Sequence, residues 1–96
     1  MANITVGVPW FRREDYARLL LLLPDAAYLP RTYDDWLLKA EDFFKEFDGT
    51  EIGAVKVIID LDHFPAWCLA NGKNLDYEAR RDFAKIQVRH QIREGG

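Results

Sequence analysis

Serine is absent from this chain of 96 residues. That removes the commonest hydrolase nucleophile, and with it any Gly-x-Ser-x-Gly element. Gly7, Gly49, Gly53, Gly72, Gly95 and Gly96 are spaced wrongly for a phosphate-cradling loop. Cysteine occurs once, at Cys68, so no intramolecular disulfide can form, and a lone thiol beside Trp67 suits a reducing cytosol. The longest apolar run, Leu19 to Pro24, falls far short of the ~20 residues that cross a bilayer. Met1 to Trp10 has no basic region ahead of a long apolar stretch, so a secretory signal is not expected. A basic excess is missing too. Lys and Arg number 13 against 16 Asp and Glu, a net charge of −3, whereas sequence-independent nucleic-acid binders are usually basic.

What remains is an ordinary globular composition, 49% hydrophobic and 30% charged. A chain of this length buries roughly 65% of its surface on folding, enough for one core. The expectation is a single domain over residues 1–96, cytoplasmic, with no membrane contact.

Asn3 to Val8 alternates, with Ile4, Val6 and Val8 on one face, and reads as a strand that Pro9 ends. Arg13 to Leu23 reads as a helix with Glu14 and Asp15 in its first turn, stopped at Pro24-Asp25. Its five consecutive leucines, Leu19 to Leu23, predict burial all round at the C-terminal half, with Leu21 and Leu22 wrapping the side away from Leu19, Leu20 and Leu23. Thr32 is a candidate N-cap for the clearest helix, whose Tyr33, Trp36, Leu37, Ala40, Phe43, Phe44 and Phe47 form one stripe closed by Gly49. Glu51 to Asp60 reads as a second strand, apolar enough to be buried on both faces. A short helix near Asp62 to Ala70 ends at Asn71-Gly72, and a last helix runs from about Leu75 to Arg93. The fold class is therefore α+β, in the order βααβαα. The expected core is Ile4, Val6, Leu19, Leu20, Leu23, Trp36, Leu37, Ala40, Phe44, Val57, Ile59, Phe64, Trp67, Phe83 and Ile86.

The two halves, 3–49 and 51–94, share a pattern. An aromatic (Tyr16, Phe64) opens a short apolar helix, and a second helix follows from an aromatic-acidic pair (Tyr33-Asp34, Tyr77-Glu78). Two readings stand: an internal duplication, or the self-similarity of any βαα chain punctuated by turns. Two strands alone make a marginal sheet, so it must be covered by the four helices or extended by dimerisation.

Asp60-Leu61-Asp62 follows an apolar strand and resembles the acidic first motif of haloacid-dehalogenase-like phosphatases and the strand-end acids of lesion-bypass polymerases. Two such carboxylates can hold Mg²⁺. Here, however, His63-Phe64 follow where those phosphatases have a small residue and Thr or Val, and no lysine-plus-acidic motif comes after. Helix capping is the competing role for this pair. His63 and His90 are the only histidines. Neighbours on a helix face apart, so Asp62 and His63 do not make a base–orienter pair. Cys68 has no activating neighbour and reads as core. The expectation is no enzyme, no catalytic residue, no metal and no small-molecule cofactor.

The last helix is the most informative element. Arg81, Lys85, Arg89 and Arg93 recur every four residues as one basic stripe. Leu75, Ala79, Phe83, Ile86 and His90 form one apolar face, and Tyr77, Ala84, Val88 and Ile92 form another roughly opposite. A helix lying on its own domain needs only one such face. Tyr77, Ala84, Val88 and Ile92 are therefore expected to be covered by a partner chain, unless the helix lies deep in its own fold. Residues 34–51 carry seven acids and two lysines, while residues 80–93 carry five basic residues and Asp82, so the chain holds complementary charged patches. A helix-turn-helix reading of the last two helices is poor, because Asp76 and Glu78 stand where base-reading residues belong.

Ile59-Asp60-Leu61-Asp62-His63-Phe64-Pro65-Ala66-Trp67-Cys68, then Asn71-Gly72, then Ala79-Arg80-Arg81-Asp82-Phe83, together with Leu29 to Trp36, resemble small uncharacterised bacterial and phage-derived proteins. The resemblance implies a cytosolic protein and brings no activity. The leading functional expectation is a small protein-interaction module, a homodimer or a subunit of a larger assembly. The alternatives are a nucleic-acid-binding regulator using the basic stripe, and a mobile-element inhibitor that engages a host protein through the acidic helix face.

Overall fold

The computed structural model describes residues 4–95, with side-chain surroundings through residue 90. The chain runs β1 (Ile4–Trp10), α1 (Arg13–Leu22), a 3₁₀ turn (Ala26–Tyr28), α2 (Tyr33–Lys45), β2 (Ile52–Ile58), α3 (His63–Ala70) and α4 (Tyr77–Gly95). This is the α+β class and the βααβαα order expected from the sequence. The strands pair in parallel, in unbroken register from Ile4 opposite Ile52 to Trp10 opposite Ile58. Parallel neighbours need a long crossover, and α1, the turn and α2 supply it.

Local chemistry sets the boundaries. Thr32 Oγ1 accepts the Asp35 amide at 3.1 Å and starts α2. Asp76 Oδ1 accepts the Ala79 amide at 3.0 Å and starts α4. At the end of α3 the Lys73 amide donates to the Cys68 carbonyl at 2.9 Å and the Gly72 amide to Leu69 at 3.3 Å. That pair of bonds needs a left-handed residue at Gly72, whose φ is +64°.

The helices cover the sheet from two sides. On one face Trp10 packs edge-on against Trp36 and Phe44 of α2, at 5.2 and 5.8 Å between ring centroids. Lys56 lies with its ammonium 4.4 Å from the Trp10 ring on this face. Phe11 and Tyr16 extend the aromatic cluster, and Tyr16 donates its hydroxyl to the Pro30 carbonyl. On the other face α4 packs against β1. A Cβ on Gly7 would come within 2.7 Å of the Ala84 carbonyl oxygen and of Val88 Cγ2, so only glycine permits this approach.

Several expectations require correction. Ile4 is 56% exposed and Val6 half-buried, because the buried end of β1 is the C-terminal one, Val8 and Trp10. Pro9 does not end the strand; it pairs opposite Val57. Leu21 and Leu22 are exposed, because α1 lies at the periphery and turns one side inward, with Asp15, Tyr16, Leu19 and the following Leu23 buried. β2 is not buried on both faces: Val57 is buried, whereas Lys56 and Ile58 are exposed. Leu20, Leu37, Ala40, Phe44, Trp67 and Ile86 are half-buried at the edge of the core. The buried core also holds Phe11, Cys68, Ala79, Ala84 and Val88.

Candidate functional site

α4 has two apolar faces, and both meet the domain's own structure. Phe83 packs against Phe64 and Trp67 of α3, at 5.4 and 5.6 Å between ring centroids. Ala84 is fully buried and Val88 is 5% exposed, clustered with Val57 of β2 and lying against Gly7. The expectation that a partner chain covers Ala84 and Val88 is therefore corrected: the sheet covers them. Tyr77 is exposed, and the Arg80 and Arg81 guanidinium groups lie within 6 Å of its ring centroid, at 5.8 and 5.7 Å. The side chains of Ile92 and Arg93 lie outside the described residues.

A third side of α4, between the sheet and solvent, carries the basic stripe. Arg81, Lys85 and Arg89 line a groove of about 700 Å³ whose opposite wall is Ile4, Thr5, Val6 and Gly7 of β1. Among the described residues none of these three cations has an ion-pair partner. Asp82 also lines the groove, but Lys73 Nζ sits 3.4 Å from its carboxylate. Glu78 is the remaining acid on the wall. The acidic face of α2 does not meet this stripe. Asp34 pairs instead with Arg13 at 2.7 Å, with both side chains exposed.

Among the described residues the sheet has only two strands, so the β1 wall is an open sheet edge. The Ile59 amide donates to the Trp10 carbonyl at 2.9 Å, which turns the Trp10 main chain toward β2. Main-chain direction alternates along a strand. Ile4, Val6 and Val8 therefore also bond toward β2, while Thr5, Gly7 and Pro9 point outward. Among the described residues, the outward amides and carbonyls of Thr5 and Gly7 have no partner. Pro9, which lacks an N–H, falls on the outward side, where a proline costs the ladder nothing. A proline inside an otherwise regular strand is the sequence signal for an edge, and Pro9 marks that edge rather than the end of the strand.

Asp60 and Asp62 separate in role. Asp60 Oδ1 accepts the Asp62 and His63 amides at 2.9 and 2.6 Å, and the His63 ring Nδ1 lies 3.0 Å away. Burial raises the Asp60 pKa, but these hydrogen bonds outweigh it and the net direction is down. Asp60 thus nucleates α3, and its ring partner is His63 three residues on. Asp62 is exposed. Among the described residues no three His, Cys, Asp or Glu side chains converge as a metal site would require. Cys68 is buried, and burial pushes its thiol pKa up.

Arg80, next to the stripe, points the other way. It is 3% exposed and grips Asp25 through two hydrogen bonds, at 2.9 and 2.6 Å, with a third to the Leu75 carbonyl at 3.3 Å. This pair ties the segment after α1 to the start of α4 and fixes where the groove wall stands. No helix among the described residues is long and apolar enough to cross a membrane. Compared with known proteins, the chain matches no family model, no curated protein and no solved structure.

Proposed function

We propose that this chain is a non-enzymatic protein-interaction module that binds another polypeptide in the groove between the open edge of β1 and Arg81, Lys85 and Arg89. One observation carries the reading. Three cations that have no ion-pair partner among the described residues line the same cleft as main-chain groups of an edge strand that are unpaired among those residues. An open edge of this kind is a template for pairing with another chain unless something covers it. Polypeptides offer the complementary main chain; nucleic acids do not.

A second copy is the weaker occupant. A two-fold contact between β1 edges would bring two basic rows side by side, and like charges so placed disfavour association. The module therefore fits a different chain better than itself.

The test is site-specific photo-crosslinking in the cells that make the protein. A photoreactive residue at Thr5 should yield discrete polypeptide adducts, and one at Tyr28, which does not line the groove, should not. The Thr5 adducts should disappear in the variant Arg81→Glu/Lys85→Glu/Arg89→Glu. Adducts of equal intensity at both positions, or adducts that are nucleic acid, would refute the proposal. Sedimentation velocity of the purified chain reports self-association separately.

A further inference from the structure

We infer that the groove's occupant is an extended acidic segment that adds to β1 as a third strand, its acidic side chains at alternate positions facing Arg81, Lys85 and Arg89. This rests on the groove being the binding surface and names the chemistry of what fills it.

Three observations lead there. First, the hydrogen-bonding pattern is that of a strand. Thr5 and Gly7 present amides and carbonyls outward, bounded at one end by Pro9, which has no amide to offer. Strand addition at an open edge uses such a row. Second, the spacings match. Cations four residues apart on a helix are separated by about 6 Å along its axis. Alternate residues of a strand are separated by about 6.6 Å. A strand with an acid at every second position can therefore meet Arg81, Lys85 and Arg89 in turn. Third, the faces match. Thr5 and Gly7 lie on the α4 side of the sheet, whereas Ile4 and Val6 lie on the other side, with Ile4 more than half exposed. An added strand with acids toward α4 has its intervening residues beside Ile4 and Val6, where apolar side chains would cover them. The occupant is thus acidic on one face and β-branched on the other.

The probe is a fluorescein-labelled peptide of alternating valine and glutamate, titrated with the intact protein by fluorescence anisotropy. Saturable binding is expected, weakening by about tenfold in Arg81→Gln/Lys85→Gln/Arg89→Gln, since three partly exposed ion pairs together are worth about that factor. Circular dichroism should show the variant folded. Added salt should weaken binding to the parent protein. Two N-methylated series test the strand itself. In an antiparallel addition the glutamate amides bond to β1, and in a parallel one the valine amides do. Binding should be lost in one series and kept in the other. Equal binding of both series and the parent peptide would overturn strand addition. Equal binding of a valine–lysine peptide would overturn the charge assignment, and no saturable binding would overturn both. If the peptide fails while Thr5 still crosslinks to polypeptide, the groove reading stands and the acidic strand falls. If an oligonucleotide of matched charge displaces the peptide and Thr5 crosslinks to nucleic acid, both fall.

Discussion

Removing the Asp25 carboxylate should destabilise this fold more than almost any other single surface-proximal change. Arg80 is a guanidinium at 3% exposure, and its two short hydrogen bonds both go to Asp25. In Asp25→Ala only the Leu75 carbonyl, at 3.3 Å, remains to it. Breaking a buried pair from one side typically costs about 3–5 kcal/mol, because the other charge stays buried without compensation. Asp25 itself is partly exposed, with 26% of its side chain reachable by water, which places the cost near about 3 kcal/mol. That is a large share of the roughly 5–14 kcal/mol expected for a chain of this length. In urea, with a slope of about 1 kcal/mol per molar, the midpoint should fall by about 2–3 M with the slope unchanged. Arg80→Met should cost less, since the carboxylate it strands is the partner water can reach.

The same pair has a pH signature. The hydrogen bonds from Arg80 hold the Asp25 carboxyl below its ordinary value, outweighing the upward push of burial. A carboxyl whose pKa is lower in the folded state stabilises fully above its unfolded pKa, about 3.9, and loses that contribution as pH falls through the folded value. The stability gap between wild type and Asp25→Ala should therefore be level from neutral pH to about pH 5 and narrow below about pH 4. A gap under about 0.5 kcal/mol at neutral pH, within the range of inconsequential surface changes, would refute the reasoning. So would a gap that stays constant into acid.

Three further outcomes follow from the packing. Gly7→Ala puts a methyl 2.7 Å from the Ala84 carbonyl oxygen and should cost about 1–3 kcal/mol, seen as a lowered thermal midpoint. Val88→Asp should unfold or severely destabilise the monomer by circular dichroism, because Val88 is buried against Gly7 and Val57 and an unpaired charge cannot be accommodated there. Asp60→Ala removes the acceptor of two amides at the start of α3 and should cost about 1 kcal/mol by urea denaturation, with Asp60→Asn recovering part of it.

Elements with their own local chemistry were legible from the sequence. Thr32 and Gly72 punctuate α2 and α3 through bonds and dihedrals that depend on nearby residues alone, and both stand where the pattern put them; Gly49 does not close α2, which ends at Lys45 with Glu46 as its C-cap, and its positive φ serves the turn that follows. The aromatic stripe of α2 was legible for the same reason. Burial along β1 was not. Alternation identifies a face, but it does not say which end of that face the helices cover, and here Trp10 rather than Ile4 meets α2. Leu21 and Leu22 show that hydrophobicity does not by itself specify burial, since α1 has neighbours on one side only. Arg80 was invisible as a core residue because its partner stands 55 positions away.

The basic stripe shows where sequence reasoning reached a correct pattern and drew the wrong surface from it. The two apolar faces of α4 were real, and the inference that each needs a covering surface was sound. What periodicity cannot count is how many surfaces the chain itself supplies. Gly7 lets α4 settle onto β1 so closely that Ala84 and Val88 are covered by the sheet, while α3 covers Phe83. With both apolar faces used internally, the unfilled side of the helix is the charged one. The same close approach places Arg81, Lys85 and Arg89 beside the outward main chain of Thr5 and Gly7. The absence of a side chain at Gly7 thus closes the apolar seam and brings the cationic row to the strand edge. Widening that seam, as Gly7→Ala must, should disturb peptide binding as well as stability, whereas Asp60→Ala, on the α3 side, should leave binding intact in conditions where both variants remain folded.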